Sequence, residues 1–418
     1  MEQLQRPPLE NADSVSLPIR EDILQVNRQA WADISKPGTW WTGAQRVAIA
    51  AETRAALNCN LCRKRKTALS PNAVQGVHDH APGSMDVLGE HAIDAIHRIT
   101  TDSGRITQSY VDSLRKDGVS AEHYIELLGV IILTLPVDEF HRALGLPLET
   151  LPTPLAGTPT QYRVPDAQLE SETGFVPMIK PDGAVGAEAD IFQGASTAGN
   201  VIRAVTLVPN AIREYIPQFN AYYMTFEQMG DMAAMVQGRA LDRMQIELIA
   251  SRVSVLNECV YCASGHTMVL DISGKIAQED INMGAVVGGE DVEHSGVKHG
   301  KALIEFTDAL SRREAAEIAI ARNALSNAMG PAAVCDAAAV AANFQRMNRI
   351  ANATGIAIDG IAVPMVSPIV EKLGFDKFQS YEHTPKPSLL VRLFAPLIRP
   401  MMMTIMQWMV RRRKGRTK

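Results

Sequence analysis

The residues best placed to do chemistry are Cys259, Cys262 and His266, within Cys259-Val260-Tyr261-Cys262-Ala263-Ser264-Gly265-His266, with Glu247 upstream. Two thiols, an imidazole and a carboxylate form a set that can deprotonate a thiol, oxidise it and close a disulfide. The steps of three and four residues between Cys259, Cys262 and His266 put all three on one face of a helix. Asn257 is placed to cap that helix. Both thiols would then lie in the first turns, where unpaired N–H groups and the helix dipole favour a thiolate. The residues before it read as an antiparallel helix, joined through a short turn near 256–258. At ~1.5 Å per residue Glu247 and His266 lie at a similar depth from that turn, so they are expected to meet directly or through a water. Leu241, Met244 and Leu248 look core-facing, and a carboxylate among them is costly unless it is hydrogen-bonded or relays a proton.

The elements that must hold these groups read as helices almost throughout. Residues 44–57 and 240–256 each lead into a Cys-x-x-Cys pair, and 85–100, 120–144, 199–235, 300–328 and 331–353 carry apolar residues at helical spacing. No alternating strand and no strand–glycine–helix phosphate loop stands out. At 418 residues, 46% hydrophobic and 5% aromatic, with 18 Met and many alanines, the chain is long enough for two helical domains. A formal net charge of -5 gives no reason to expect a nucleic-acid partner. The N-terminal residues lack a basic stretch followed by an apolar one, so a cytoplasmic location is expected. Five cysteines in a chain of this length are not a secreted disulfide framework, and paired ones in a reducing compartment suggest redox chemistry or metal. The fifth, Cys335, lies in Ala-rich sequence and reads as a small buried hydrophobe.

The halves look related. Leu57-Asn58-Cys59-Asn60-Leu61-Cys62 echoes Leu256-Asn257-Glu258-Cys259-Val260-Tyr261-Cys262, and Phe140-His141-Arg142 with Gly145 resembles Phe344-Gln345-Arg346 with Gly355. A diverged tandem duplication accounts for this. The expected division is a degenerate N-terminal helical domain over 1–150, a Pro/Gly-rich linker over 151–198, an active domain over 199–360 and a C-terminal arm over 361–418.

In the first half, Val47 stands where Glu247 stands in the second, and Lys66 where His266 stands. Cys59 and Cys62 therefore look like a decayed copy without a relay, left with a structural or auxiliary role. The basic run Arg63-Lys64-Arg65-Lys66 could still lower a thiol pKa. Zinc is the competing reading, because His78 and His80 follow the pair. That spacing is unusual for zinc, so no metal is expected. His91, His97, His123 and His141 are taken as satisfied helix histidines. The last segment is mixed: apolar runs over 389–398 and 401–410 are broken by Arg392, Pro396, Arg399 and Pro400, and a basic tail runs from Arg411 to Lys418. It reads as an arm packed on protein, with peripheral membrane contact as the second reading.

The pattern Glu247-x11-Cys259-x2-Cys262-x3-His266 resembles the motif of the alkylhydroperoxidase D-like branch of the carboxymuconolactone decarboxylase family. Flanking residues agree, with Ile246-Glu247-Leu248-Ile249-Ala250-Ser251-Arg252 before the pair and Asn348-Arg349-Ile350-Ala351-Asn352-Ala353-Thr354-Gly355 after it. The resemblance is good over 199–360 and weak over 28–150. One departure is Tyr261, where well-known members carry a second histidine. The resemblance implies an all-α bundle, a homo-oligomer and thiol peroxidase activity. It also implies Cys262 as the peroxidatic thiol, Cys259 as its resolving partner, and His266 with Glu247 as the proton relay. Such a cycle takes a peroxide substrate and a dithiol reductant and needs no metal, flavin or haem. A cofactor-free decarboxylase or lactone-processing enzyme of the same family is the alternative, along with a non-enzymatic redox-sensing scaffold.

Overall fold

Capping chemistry starts the helices that lead into both cysteine pairs, and it is the same in each half. In the computed structural model, which describes residues 17–192, 198–230 and 236–384, Thr42 and Asp242 each accept the N–H of the glutamine three residues on. Gln45 and Gln245 in return accept the cap residue's own N–H, closing a capping box at both places.

The first half runs α1 (Glu21–Ser35), α2 (Gly43–Ala56), α3 (Asn60–Thr67), α4 (Ser84–Leu88), α5 (Glu90–Asp102), α6 (Gln108–Lys116) and α7 (Ala121–Leu144). The second runs α8 (Asn200–Arg203), α9 (Pro209–Tyr222), α10 (Phe226–Met229), α11 (Arg243–Leu256), α12 (Val260–Ala277), α13 (Gly300–Arg312), α14 (Ala315–Met329), α15 (Pro331–Thr354) and α16 (Val363–Leu373). The fold is all-α, as expected. Helix lengths recur between the halves: 14 residues in α2 and α11, 13 in α5 and α13, 24 in α7 and α15. Three expected helices are split. Gly89 breaks 85–100 with a φ of 77°, Arg313 breaks 300–328 with a φ of 63°, and Pro209, which has no N–H to give an interior turn, restarts the chain at the beginning of α9.

At the centre α7 and α15 pack along each other, one from each half. Nearly all of α7 is buried, and α15 is alanine-rich, so its backbone can come close to its neighbours. Gly145 and Gly355 end these two helices in left-handed backbone. One apolar cluster runs from Ile23 through Ile131 and Phe140 to Ile350, joining the halves in a common core rather than two separate ones. A smaller cluster lies among α11, α12, α13 and α16. Each fully buried Leu, Ile or Phe contributes roughly 1.5–3 kcal/mol.

The proline-rich stretch after α7 is a packed strap. Its Leu155 N–H bonds to Ser35 O at 2.8 Å and its Phe175 N–H to Thr354 O at 2.7 Å, so it touches both halves. A two-residue pairing of β1 (Leu169–Glu170) with β2 (Met178–Ile179) lies within it, and Val176, Met178 and Ile179 are buried. Cys335 is buried as expected, and burial pushes its thiol up to about 11. Among the described residues no single helix is long and apolar enough to cross a membrane. The apolar runs and basic tail beyond residue 384 lie outside the described residues.

Candidate active site

The turn between α11 and α12 sets out the site. Glu258 takes left-handed backbone with a φ of 50°, and Cys259 itself becomes the N-cap of α12. Its Sγ accepts the Cys262 N–H at 3.4 Å. Asn257, expected as the cap, instead closes α11, donating from Nδ2 to Val253 O, Gln345 Oε1 and Asn348 Oδ1.

Glu247 and His266 meet directly, with 2.7 Å between Oε2 and Nδ1. Glu247 is fully buried and its other oxygen is also engaged. Oε1 accepts the Tyr223 hydroxyl at 2.5 Å and lies 2.9 Å from Arg243 Nε. That second contact is a charge pair without hydrogen-bond alignment. Burial opposes ionisation of Glu247, but Arg243, His266 and the two hydrogen bonds outweigh it, so the carboxyl sits below its ordinary range. The His266 ring is held edge-on by Phe344 of α15, with centroids 4.4 Å apart, and by Tyr223 at 5.7 Å. With Nδ1 turned to a carboxylate, Nε2 is the nitrogen left to exchange a proton.

The expectation of an acidified Cys262 is overturned. Burial raises this thiol well above its ordinary value and Cys259 adds to the rise, against a weaker opposite effect of Asn348. The dipole of α12 is too small to offset full desolvation. Ionising Cys262 therefore takes a base.

Cys262 and His266 line one cavity of ≈ 290 Å³, walled by Val201, Phe219, Met268, Phe344, Met347 and Ile358. Cys259 lies behind this wall, fully buried. Tyr261 also faces the cavity, but its hydroxyl donates to Asp359 and accepts the Val201 N–H at 3.4 Å. Burial and Asp359 keep that phenol protonated, so it fastens the cavity wall and takes no proton. A larger cleft of ≈ 740 Å³ passes His78, Asp94 and Tyr110 in the first half, and no cysteine lines it.

Around Cys59 and Cys62 the expectation of a missing relay is also overturned. Val47 and Lys66 supply nothing to the thiols, but Glu52 and His97 do. His97 Nδ1 lies 3.2 Å from Cys62 Sγ and its Nε2 lies 2.9 Å from Glu52 Oε2, all of them buried. His97, assigned no role above, is thus part of a cluster. His80 is exposed and turned to Ala81 O. Arg65 reaches Asp94 and His78. Burial, together with Cys59, pushes the Cys62 thiol up to about 12, so the basic run does not activate it.

Of the residues sequence reasoning missed, Arg243 was within reach, standing one helical turn before Glu247. Glu52 lies on α2 with Val47 but five residues on, and Tyr223, Phe344 and His97 come from other elements, where no local spacing marks them.

Residues 217–281 match the model of the carboxymuconolactone decarboxylase family, the family that the motif resembles. The matched segment holds Tyr223, Arg243, Glu247, Cys259, Cys262 and His266. No curated protein and no solved structure matches the chain.

Proposed function

We propose that the protein is a thiol-dependent peroxidase working through Cys262 and Cys259. The observation that carries this reading is the placement of Cys262 on the wall of an apolar cavity beside the His266–Glu247 pair, with Cys259 directly behind it. His266 Nε2 accepts the Cys262 proton, and Glu247, held by Arg243 and Tyr223, stabilises the imidazolium. The thiolate attacks the outer peroxide oxygen. The O–O bond breaks, the leaving alkoxide takes the proton from His266, and Cys262 becomes a sulfenic acid. The Cys259 sulfur then displaces water to close the disulfide, and a dithiol supplies two electrons by exchange. The apolar wall suits an organic hydroperoxide.

We read the first half as a diverged tandem copy, on the strength of the matching capping boxes and helix lengths. Mass spectrometry of alkylated protein, before and after one equivalent of cumene hydroperoxide, tests the function. A new Cys259–Cys262 disulfide is the expected product. Both thiols remaining free while peroxide is consumed would overturn the reading.

A further inference from the structure

Cys59, Cys62, His78 and His97 bring two sulfurs and two ring nitrogens within 4.8 Å of one another. Cys59 Sγ lies 3.5 Å from His78 Nδ1, and Cys62 Sγ lies 3.6 Å from His78 Nδ1 and 3.2 Å from His97 Nδ1. We propose that these four side chains bind a zinc ion that staples α3 and the loop after it to α5.

Geometry supports this. A tetrahedral zinc with bonds of about 2.3 Å to sulfur and 2.0–2.1 Å to nitrogen separates sulfur from nitrogen by about 3.5 Å. The three sulfur–nitrogen separations, 3.5, 3.6 and 3.2 Å, lie around that value. Cys59 and Cys62 form the two-residue-spaced half of a zinc site, and both imidazoles present Nδ1 to it. Each imidazole is also braced from behind. His97 Nε2 meets Glu52 Oε2 at 2.9 Å, and His78 Nε2 meets Asp94 Oδ1 at 3.0 Å. Asp94 is itself held by Tyr110 at 2.7 Å, Arg98 at 2.9 Å and Arg65 at 2.6 Å. A carboxylate on the far nitrogen of each ligating histidine fixes its tautomer and raises its basicity, as zinc sites require. Two thiolates also neutralise a divalent cation, so the buried centre carries no net charge.

The surroundings favour metal over a second peroxide site. Cys62 borders a void of only ≈ 10 Å³, with no room for an organic substrate. The ≈ 740 Å³ cleft reaches His78, which gives an ion a way in. The segment also needs holding. Its apolar cluster is only Cys59, Leu61, Cys62 and Val74, while Leu69 and Val77 are exposed. A closed four-ligand ion supplies the cohesion this cluster lacks. The spacing considered earlier failed because it paired His78 with His80, whereas the fold brings His97 from α5.

The test uses the full chain, purified under reducing conditions, with zinc measured by elemental mass spectrometry. Stoichiometric zinc is expected. After chelation, added Co²⁺ should give the d–d bands of a tetrahedral site and a thiolate-to-cobalt charge-transfer band. Both should vanish in Cys59→Ser/Cys62→Ser and persist in His80→Ala and in Cys259→Ser/Cys262→Ser. Glu52→Gln should weaken zinc by about 10- to 100-fold through His97. The wild-type spectrum decides the matter even if a variant misfolds. Wild-type protein that takes up neither zinc nor Co²⁺ would overturn the proposal. So would cobalt bands that survive loss of Cys59 and Cys62, or a Cys59–Cys62 disulfide in metal-free protein.

Discussion

Replacing His266, the base proposed for Cys262, should expose how strongly the environment of that thiol opposes ionisation. An ordinary thiol with a pKa of about 8.5 is only a few per cent thiolate at pH 7, and each further unit of upward shift costs another factor of ten, or about 1.36 kcal/mol. Burial and Cys259 move Cys262 in that unfavourable direction. General-base assistance contributes roughly 10²- to 10⁴-fold. His266→Gln should therefore lower kcat/KM for cumene hydroperoxide at pH 7 by about 10²- to 10⁴-fold, or about 2.7–5.5 kcal/mol of barrier. The loss should shrink about tenfold per pH unit on the alkaline side, as hydroxide replaces the missing base. Glu247→Gln should fall between wild type and His266→Gln, because Nδ1 keeps a neutral hydrogen-bond partner. Stopped-flow peroxide consumption from pH 6 to 10, paired with iodoacetamide alkylation of Cys262, gives both profiles. If wild type and His266→Gln run parallel across that range, His266 is not the base.

Four further outcomes follow from the same geometry. Cys262→Ser should abolish peroxide consumption, whereas Cys259→Ser should leave a sulfenic acid on Cys262 that dimedone traps; trapping on Cys259 alone in the reciprocal variant reverses the roles. Glu247→Gln removes the buried carboxylate that faces both Arg243 and His266 and should lower the urea midpoint, and a midpoint equal to that of wild type would show that this charge is dispensable. Because the Glu247 carboxyl is held below its ordinary value, it stabilises the fold above about pH 4.3 and that contribution is lost as pH falls through the folded pKa. The acid limb of Tm against pH should be shallower in Glu247→Gln than in wild type, and superimposable limbs would contradict this. Val201→Phe narrows the cavity and should raise KM for cumene hydroperoxide more than for hydrogen peroxide, so equal shifts would place binding elsewhere.

How much of this was legible in the sequence depended on distance along the chain. Helical repeats showed the all-α class, and the local spacing of Glu247 and His266 across one turn gave their contact correctly, since a two-helix hairpin fixes depth from its turn. The tie between Arg243 and Glu247 also follows helical spacing. The state of Cys262 was misjudged because a helix start was visible while the packing that desolvates the thiol was not. Val47 and Lys66 were compared with Glu247 and His266 by position alone, which hid Glu52 on the same helix and His97 two helices on. Tyr223 and Phe344 clamp His266 from other elements, and nothing in their neighbourhoods announced it. The proline-rich stretch suggested a linker from composition. Its backbone bonds to both halves depend on partners more than a hundred residues away in sequence.

The pairing of α7 with α15 has a consequence for how the molecule responds to dilution. Had the two halves been separate chains meeting through these helices, the site near α15 would depend on protein concentration and would fall apart as partners dissociated. Here the strap keeps the second half tethered to the first, so their docking is unimolecular and the effective concentration is set by the connection. The docking of the two halves should then persist at nanomolar levels. The cost is shared vulnerability: a defect in α7 reaches Phe344 and the site through α15, and neither half can be expressed alone without baring the apolar flank of its long helix.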